Sequence, residues 1–206
     1  MPLQIGQRPD HGFTEPLGLL SDCHRRIEHF LRVLLAIDRE GAGGPLAAGP
    51  RAELEAALTY FATAAPKHTA DEEQSLFPRL RAASDPATSQ ALELLDRLER
   101  DHNAADRHHA AVDVRGRRWL AKGGLHPVEV GALRAHLAAL QGIYKEHIGI
   151  EDRELFPAAA RILSSGQLLE VGLEMVARWK AGSKTVSHAG PRSPIPVTTE
   201  PVAGGS

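Results

Sequence analysis

Two stretches of the sequence each carry a histidine and a glutamate four residues apart, followed by Leu-Phe-Pro. They read HTADEEQSLFP at residues 68–78 and HIGIEDRELFP at residues 147–157. Residues i and i+4 lie on the same face of a helix, so each stretch can direct one imidazole nitrogen and one carboxylate towards the same point. Iron, manganese and zinc accept ligands of these types in proteins. The repeated pattern therefore indicates a metal site.

A lone histidine precedes each of these stretches and extends the repeat. His24 and His102 each stand four residues after a leucine, and they precede His68 and His147 by almost equal lengths of chain. His29 is the alternative to His24, but it lies about 140° round the same helix, on a face rich in arginine. The chain therefore repeats one helix pair, and each copy supplies a lone histidine and a His-x-x-x-Glu pair.

A metal cluster is the simplest reason to place these side chains inside a helical protein. Buried carboxylates cost several kcal/mol each unless they are paired or bound to a cation. If both glutamates bridge two octahedral ions, the ligands fill about eight of roughly twelve positions, which leaves room for a bridging oxygen and a small exogenous molecule. Nitrogen and oxygen ligands without thiolate favour iron. The candidate ligands are His24, His68, Glu72, His102, His147 and Glu151.

Helices must position these ligands, since the apolar residues recur at helical spacing and β-branched residues are few and dispersed. Pro66 should kink the second helix before His68, and Asp85 with Pro86 should open the third. Long helices with short connections predict an all-α, antiparallel up-down-up-down four-helix bundle. We expect helices over about 16–40, 51–83, 86–122 and 127–163, and a short additional C-terminal helix over about 166–180 that caps the bundle or forms a dimer.

Composition bounds the molecule and excludes several classes of protein. The chain has 206 residues, of which 42% are apolar and 24% charged, with a formal net charge of -2. These values predict one globular domain, 16–181, between a loose N-terminal segment, 1–15, and a disordered C-terminal tail, 182–206. The sequence has no basic stripe that would bind nucleic acid or a membrane surface. A single cysteine, Cys23, and an N-terminus unlike a signal peptide favour a cytoplasmic protein.

The order of these residues resembles that of the hemerythrin-like proteins, the HHE cation-binding domain family. The resemblance covers about residues 17–163 and rests on His24, HTADE with LFP, His102, and HIGIE with LFP. It implies a non-haem centre of two iron ions, oxo- or hydroxo-bridged, in preference to manganese or zinc. It also implies that the six candidate ligands named above hold this centre.

One position departs from the oxygen-carrying members of the family, which have a second histidine one turn after the ligand on the third helix. This chain has Asp106 there. Fewer imidazoles should favour the ferric state, so we expect binding of, or reaction with, peroxide or O2 at an open coordination position. The sequence does not decide whether the protein has catalase- or peroxidase-like activity. The resemblance also links the chain to oxidative or nitrosative stress.

Two other functions are compatible with the same residues. The first is a non-enzymatic protein that binds or senses iron, O2 or nitric oxide. The second is a structural bundle that binds zinc or no metal. The sequence does not distinguish a monomer from a homodimer.

Further side chains share the inner faces of the predicted helices. Asp106 would ligate a metal, or orient a histidine or a water. His109 and His136 would be core residues or partners of the ligands. Tyr144 would donate a hydrogen bond to bound oxygen or peroxide, or simply pack. The phenylalanine of each Leu-Phe-Pro segment would close the apolar end of the site.

Overall fold

The structure is a computed structural model that describes residues 10–83 and 88–184. These residues form helices and their connections, with no β-strand among them, so the prediction of an all-helical protein is confirmed for this part of the chain. The expected helix start at Asp85, the first nine residues, and residues 185–206 of the predicted disordered tail, 182–206, lie outside it. Residues 182–184 of that tail are helical and belong to the helix that ends at Lys184. Within the described residues, no helix combines the length and the apolar character that a membrane span needs.

The described helices follow the predicted order, with three interruptions, one of which is the break at Ala64 within the second predicted helix. A π-helical turn separates α-helical segments within the second predicted helix and within the fourth. The α-helices are α1 (Pro16–Gly41), α2 (Ala48–Thr63), α3 (Ala65–Asp71), α4 (Phe77–Ala82), α5 (Thr88–Lys122), α6 (Pro127–Ile150), α7 (Phe156–Ile162) and α8 (Ser165–Lys184), and the π-helical turns are π1 (Glu72–Leu76) and π2 (Glu151–Leu155).

The long helices pack in a ring. Helix α1 contacts α2 and α6, and helix α5 contacts the same two helices from the other side. Each long helix therefore has two neighbours, which is the arrangement that a four-helix bundle requires. The antiparallel order of the four helices stays a prediction.

The core consists of two apolar clusters with a polar layer between them. On α1, Leu20 belongs to one cluster and Ile27 to the other, and the buried His24 lies between them. On α5, Leu98 and Ala105 are divided between the clusters in the same way. Burial of the leucine, isoleucine and aromatic side chains, worth about 1.5–3 kcal/mol for each large one, holds this polar layer in place.

Pro66 interrupts the second predicted helix where the sequence suggested. Helix α2 ends at Thr63, and Pro66 occupies the first turn of α3, where its missing N–H is not needed. His68 follows on α3 and is buried. The break therefore lies directly beside the polar layer.

The two π-helical turns were not predicted. Each has an i to i−5 hydrogen bond, from the N–H of Phe77 to the carbonyl of Glu72 and from the N–H of Phe156 to the carbonyl of Glu151. A proline follows each phenylalanine, and its ring cannot approach the carbonyl four residues earlier as an α-helix demands. The wider turn makes room for that ring, and the helix continues through it instead of ending. Such turns are frequent at functional sites.

Helix α8 packs against its own bundle, beside α1, α3 and π1. Asp71 at the end of α3 is completely buried and accepts hydrogen bonds from Arg178 and from the indole N–H of Trp179. Arg79 on α4 reaches Glu174 of α8 at 2.8 Å. These contacts fix α8 to the helix that carries the first His-x-x-x-Glu pair.

Candidate metal centre

The structure brings all six candidate ligands together in the polar layer. All are buried, and the side chains of both glutamates have no exposed surface. The four histidines come from four different helices, and each glutamate begins one of the π-helical turns. The six are His24 on α1, His68 on α3, Glu72 on π1, His102 on α5, His147 on α6 and Glu151 on π2.

These side chains form two groups that share both glutamates. One group joins His24 and His68 to the glutamates, and the other joins His102 and His147 to the same two carboxylates. Within each group the possible ligand atoms lie within 4.8 Å of one another. The geometry is that of two neighbouring cation positions connected by two carboxylates.

The carboxylate oxygens face both groups. Oε1 of Glu72 lies 3.4 Å from Nε2 of His68, and its Oε2 lies 3.4 Å from Nε2 of His102. Oε2 of Glu151 lies 3.1 Å from Nε2 of His24 and 3.1 Å from Nε2 of His147. Each glutamate therefore reaches a histidine of either group.

The polar atoms at the centre fit a cation. Within the described part of the chain, all four oxygens of Glu72 and Glu151 are buried and accept no hydrogen bond, and Nε2 of His24 and of His102 are likewise buried without one. Burial of carboxylate oxygens without hydrogen bonds costs several kcal/mol. Cations coordinated by these atoms would compensate that cost, and mixed imidazole and carboxylate ligation suits a transition metal.

Two further carboxylates contact the Nδ1 atoms of the lone histidines, on the side of each ring that faces away from the cluster. Nδ1 of His24 lies 2.9 Å from Oδ1 of Asp152, and Nδ1 of His102 lies 2.8 Å from Oε1 of Glu73. In the neutral ring, a hydrogen bond donated from Nδ1 to a carboxylate leaves the lone pair of Nε2 directed at the centre. The sequence interpretation missed both acids, although an acid directly follows the glutamate in each copy of the repeat.

The supports of the lone histidines cross between the two copies of the repeat. Phe77, from the first copy, stacks on His102 of the second with ring centroids 6.3 Å apart. Phe156, from the second copy, stacks on His24 of the first at 5.5 Å. The two supporting carboxylates follow the same crossed pattern. Each copy therefore holds the lone histidine of the other, and both phenylalanines border the site as predicted.

Without metal, the cluster balances its charges with protons. Burial lowers the pKa of His102, but Glu72 and Glu73 raise it to about 10. Burial also opposes charge on His24, yet Asp152 and the two glutamates raise its pKa well above the usual range. Burial would raise the pKa of Glu72, but the neighbouring histidines lower it well below its usual range. Metal binding must therefore displace protons from the lone histidines.

His68 differs from the lone histidines. Burial lowers its pKa to about 4, and its Nδ1 has no hydrogen-bond partner among the residues described by the structure. A neutral imidazole is the form that coordinates a metal, so His68 needs no deprotonation at neutral pH.

A small cavity adjoins the cluster on one side. Its volume is about 20 Å³, close to the space that one water molecule requires. All four histidines of the cluster border it. The remaining lining is mostly apolar and includes Ile27, Phe61, Ala65, Ala105, Tyr144 and Ile148.

Asp106, His109 and Tyr144 lie around this cavity and outside the ligand cluster. Asp106 is exposed and belongs to neither group of possible ligands. Nε2 of His109 lies 2.8 Å from the hydroxyl of Tyr144, and the His109 ring stacks on Phe61. Both rings border the cavity. The sequence placed these residues near the site and did not predict that His109 and Tyr144 pair.

Two other residues considered from the sequence lie apart from the cavity lining. His136 is partly exposed and its Nδ1 lies 2.9 Å from Nδ1 of His108. Cys23 is buried, and burial raises the pKa of its thiol to about 11. The thiol is therefore protonated at neutral pH, as a small core residue would be.

Comparison with known proteins gives the family of this chain. The model of the hemerythrin HHE cation-binding domain matches residues 15–159, which include all six candidate ligands. The chain belongs to the hemerythrin family. It is also similar to a protein of Haemophilus influenzae, which is 29% identical over 169 residues, or 81% of this chain and 91% of that protein. That relative is described only as an uncharacterized protein. The family and the clustered side chains make this a metal-binding hemerythrin-like protein.

Proposed function

We propose that this hemerythrin-like protein binds two iron ions in its polar layer and uses them to bind or react with a small oxidant, peroxide or O2. The observation that carries the proposal is the pair of ligand groups that share Glu72 and Glu151. Two iron ions would supply one-electron redox changes and exchangeable coordination positions. His24 and His68 would hold one ion, His102 and His147 the other, and the glutamates would bridge them.

The size of the cavity supports a small reactant. A space of about 20 Å³ accepts a molecule of two or a few heavy atoms and excludes organic substrates. All four histidines of the cluster line this space, so a molecule in it lies directly beside the cluster. The apolar side chains of the remaining lining limit the entry of bulk water.

The side chains present favour redox turnover over reversible oxygen carriage. The cluster has four histidines and two carboxylates, and Asp106 stands outside both ligand groups. The two glutamates would stabilise the ferric state, because anionic oxygen ligands favour the more highly charged ion. Asp152 and Glu73 would increase the basicity of their histidines and favour the same state.

The arrangement of the bundle that would hold this centre is antiparallel, up-down-up-down. The loop between α1 and α2 meets the loop between α5 and α6, since the N–H of Leu125 donates to the carbonyl of Gly43 at 2.8 Å. The indole N–H of Trp119 also donates to the carbonyl of Gly44 at 2.7 Å. Two loops at one end of the ring support that order.

A sensing role is the second candidate, and the attachment of α8 favours it. Asp71, which Arg178 and Trp179 bind, directly precedes Glu72 in sequence. A displacement of Glu72 on binding of a small molecule would therefore be transmitted to α8. A protein with this role would bind O2 or nitric oxide without consuming it.

Iron reconstitution followed by a peroxide assay tests the proposal. We expect about two iron ions per chain, near-ultraviolet absorption of a ferric two-iron centre, and loss of both in the variants Glu72→Ala and His147→Ala. Glu146→Ala, a change of the exposed residue next to His147, is the matched control and should keep the iron. Less than half an equivalent of iron in the wild-type protein would overturn the proposal. Iron without peroxide consumption would favour the binding or sensing role.

A further inference from the structure

A surface cleft lies against the small cavity beside the cluster. The cleft has a volume of about 360 Å³ and lies between α2 and α5. Four residues border both spaces, so cleft and cavity meet at these side chains. The four are Phe61, Pro66, Asp106 and His109.

The break between α2 and α3 helps to create this opening. Pro66 stands in the first turn of α3 and borders both the cleft and the cavity. The cleft is also lined by Ala62 and Ala110, whose small side chains leave the space open. An uninterrupted helix with larger side chains would cover the same surface.

Two rings form the boundary between cleft and cavity. Phe61 and His109 stack with centroids 4.2 Å apart and an interplanar angle of 25°. The hydrogen bond between His109 and Tyr144 fixes the imidazole from the cavity side. Burial lowers the pKa of His109 to about 4, so the ring is neutral at physiological pH. The two stacked rings are therefore uncharged at physiological pH, and Asp106 is the one carboxylate among the four residues that border both spaces.

The charge at the mouth of the cleft is negative. Asp106 and Asp113 line it, and among the residues that the structure describes no lysine or arginine belongs to the lining. Arg117 neutralises Asp113 at 2.9 Å, whereas Asp106 makes no ion pair among the residues that the structure describes. A carboxylate at the mouth of a passage repels anions and leaves neutral molecules unaffected.

We propose that this cleft is the route by which small molecules reach the metal centre, and that Asp106 makes the route selective for neutral molecules over anions. The proposal rests on the proposed function of an iron centre that binds or reacts with a small oxidant. Hydrogen peroxide, O2 and nitric oxide are neutral at physiological pH and small enough for the cavity. Azide and nitrite match them in size and carry a negative charge. Asp106 then acts as a specificity determinant at the mouth, and the stacked rings set the width of the passage.

Ligand association rates of the iron-loaded protein test the charge selection. In Asp106→Asn, azide should associate about two-fold faster at low ionic strength, the difference should disappear in high salt, and the rate for nitric oxide should not change. Glu40→Gln removes the same charge at the far end of α1 and is the matched control. Equal azide rates in the wild-type and Asp106→Asn proteins, measured by stopped-flow absorption, would overturn the selectivity.

Obstruction of the cleft tests the route itself. Ala62 is exposed and lines the cleft, so Ala62→Trp should cover the mouth without disturbing the core. Nitric oxide and azide should both associate several-fold more slowly in this variant. Ala52→Trp places the same side chain at an exposed position of α2 outside the cleft lining and should leave both rates unchanged. Unchanged rates in a folded, iron-loaded Ala62→Trp protein would contradict the route.

A measurement on the metal-free protein separates this proposal from the one above. Dissolved O2 is paramagnetic and increases the relaxation of protons that it approaches. We expect the largest enhancements inside the protein at Phe61, Ala105 and Ile148, and a decrease of these enhancements in Ala62→Trp. Enhancements concentrated elsewhere in the core would overturn the route even if the protein binds iron. The expected pattern in a protein that fails to bind iron would overturn only the proposed function.

Discussion

At the scale of single residues, the acids that follow the two glutamates orient the lone histidines of the cluster. Asp152 and Glu73 accept hydrogen bonds from Nδ1 of the lone histidines and so fix which ring nitrogen faces the cluster. Without them, each ring could adopt the other tautomer and direct an N–H at the metal position. The orientation of each lone histidine therefore depends on the carboxylate that accepts a hydrogen bond from its Nδ1.

Replacement of Asp152 by asparagine tests this dependence. An amide is a weaker acceptor than a carboxylate, so Asp152→Asn should reduce iron affinity about 10- to 100-fold and leave the fold unchanged. Competition with a chelator measures the affinity, and circular dichroism verifies the fold. Glu154→Gln, an exposed change in the same π-helical turn, is the control. Equal affinity in Asp152→Asn and Glu154→Gln would contradict the role of Asp152.

At the scale of elements, the π-helical turns set the direction of the chain immediately after each glutamate. One additional residue per turn rotates everything beyond it by about 100° relative to a continuous α-helix. In the first copy this rotation brings Phe77 against His102. The turn therefore couples the position of Glu72 to the packing around a histidine from another helix.

Pro78→Ala removes the steric reason for the first π-helical turn. The segment can then continue as an α-helix, which moves Phe77 away from His102, so iron affinity should fall while helical content stays the same. Iron titration and far-ultraviolet circular dichroism give the two readouts. Pro127→Ala, at the start of α6, is the matched control, because proline there causes no distortion of the helix. Wild-type affinity in Pro78→Ala would show that the turn does not position the site.

At the scale of the whole molecule, the metal-free protein depends on protons for the stability of its polar layer. His102 has a pKa of about 10 in the folded protein and about 6.5 when unfolded, so its stabilising contribution is complete below pH 6.5 and is lost as the pH rises towards 10. His68 has a folded pKa of about 4, so its contribution is lost as the pH falls below about 6.5. The two histidines together place the maximum of stability near pH 6.5.

Thermal unfolding of the metal-free protein should therefore be most resistant near pH 6.5. The melting temperature should fall by several degrees from pH 6.5 to pH 9, because folded His102 and His24 lose protons that unfolded histidines have already released. Metal replaces those protons, so the iron-loaded protein should show a weaker dependence over the same interval. A melting temperature of the metal-free protein that rises between pH 6.5 and pH 9 would contradict this prediction.

Regular spacing explains what the sequence could predict. The i, i+4 pattern that joins His68 to Glu72 and His147 to Glu151 placed all four on inner faces, and the parallel positions of His24 and His102 completed the cluster. Helical spacing could not predict which side chains of different helices contact one another. The partners of His24 and His102 come from another copy of the repeat, and the pairing of His109 with Tyr144 joins α5 to α6. Helical periodicity gives the face of a residue but not its neighbour on the next helix.

The crossed supports have a consequence for the independence of the two copies. Each copy contains a lone histidine, a His-x-x-x-Glu pair, and the acid and phenylalanine that the other copy needs. A single copy would therefore contain a lone histidine without the acid and phenylalanine that support it, together with an acid and a phenylalanine that have no histidine to support. Two identical copies related by a twofold axis would satisfy each other completely, so the site has the symmetry of a homodimer contained within one chain. Loss of either copy would disable both ends of the centre at once.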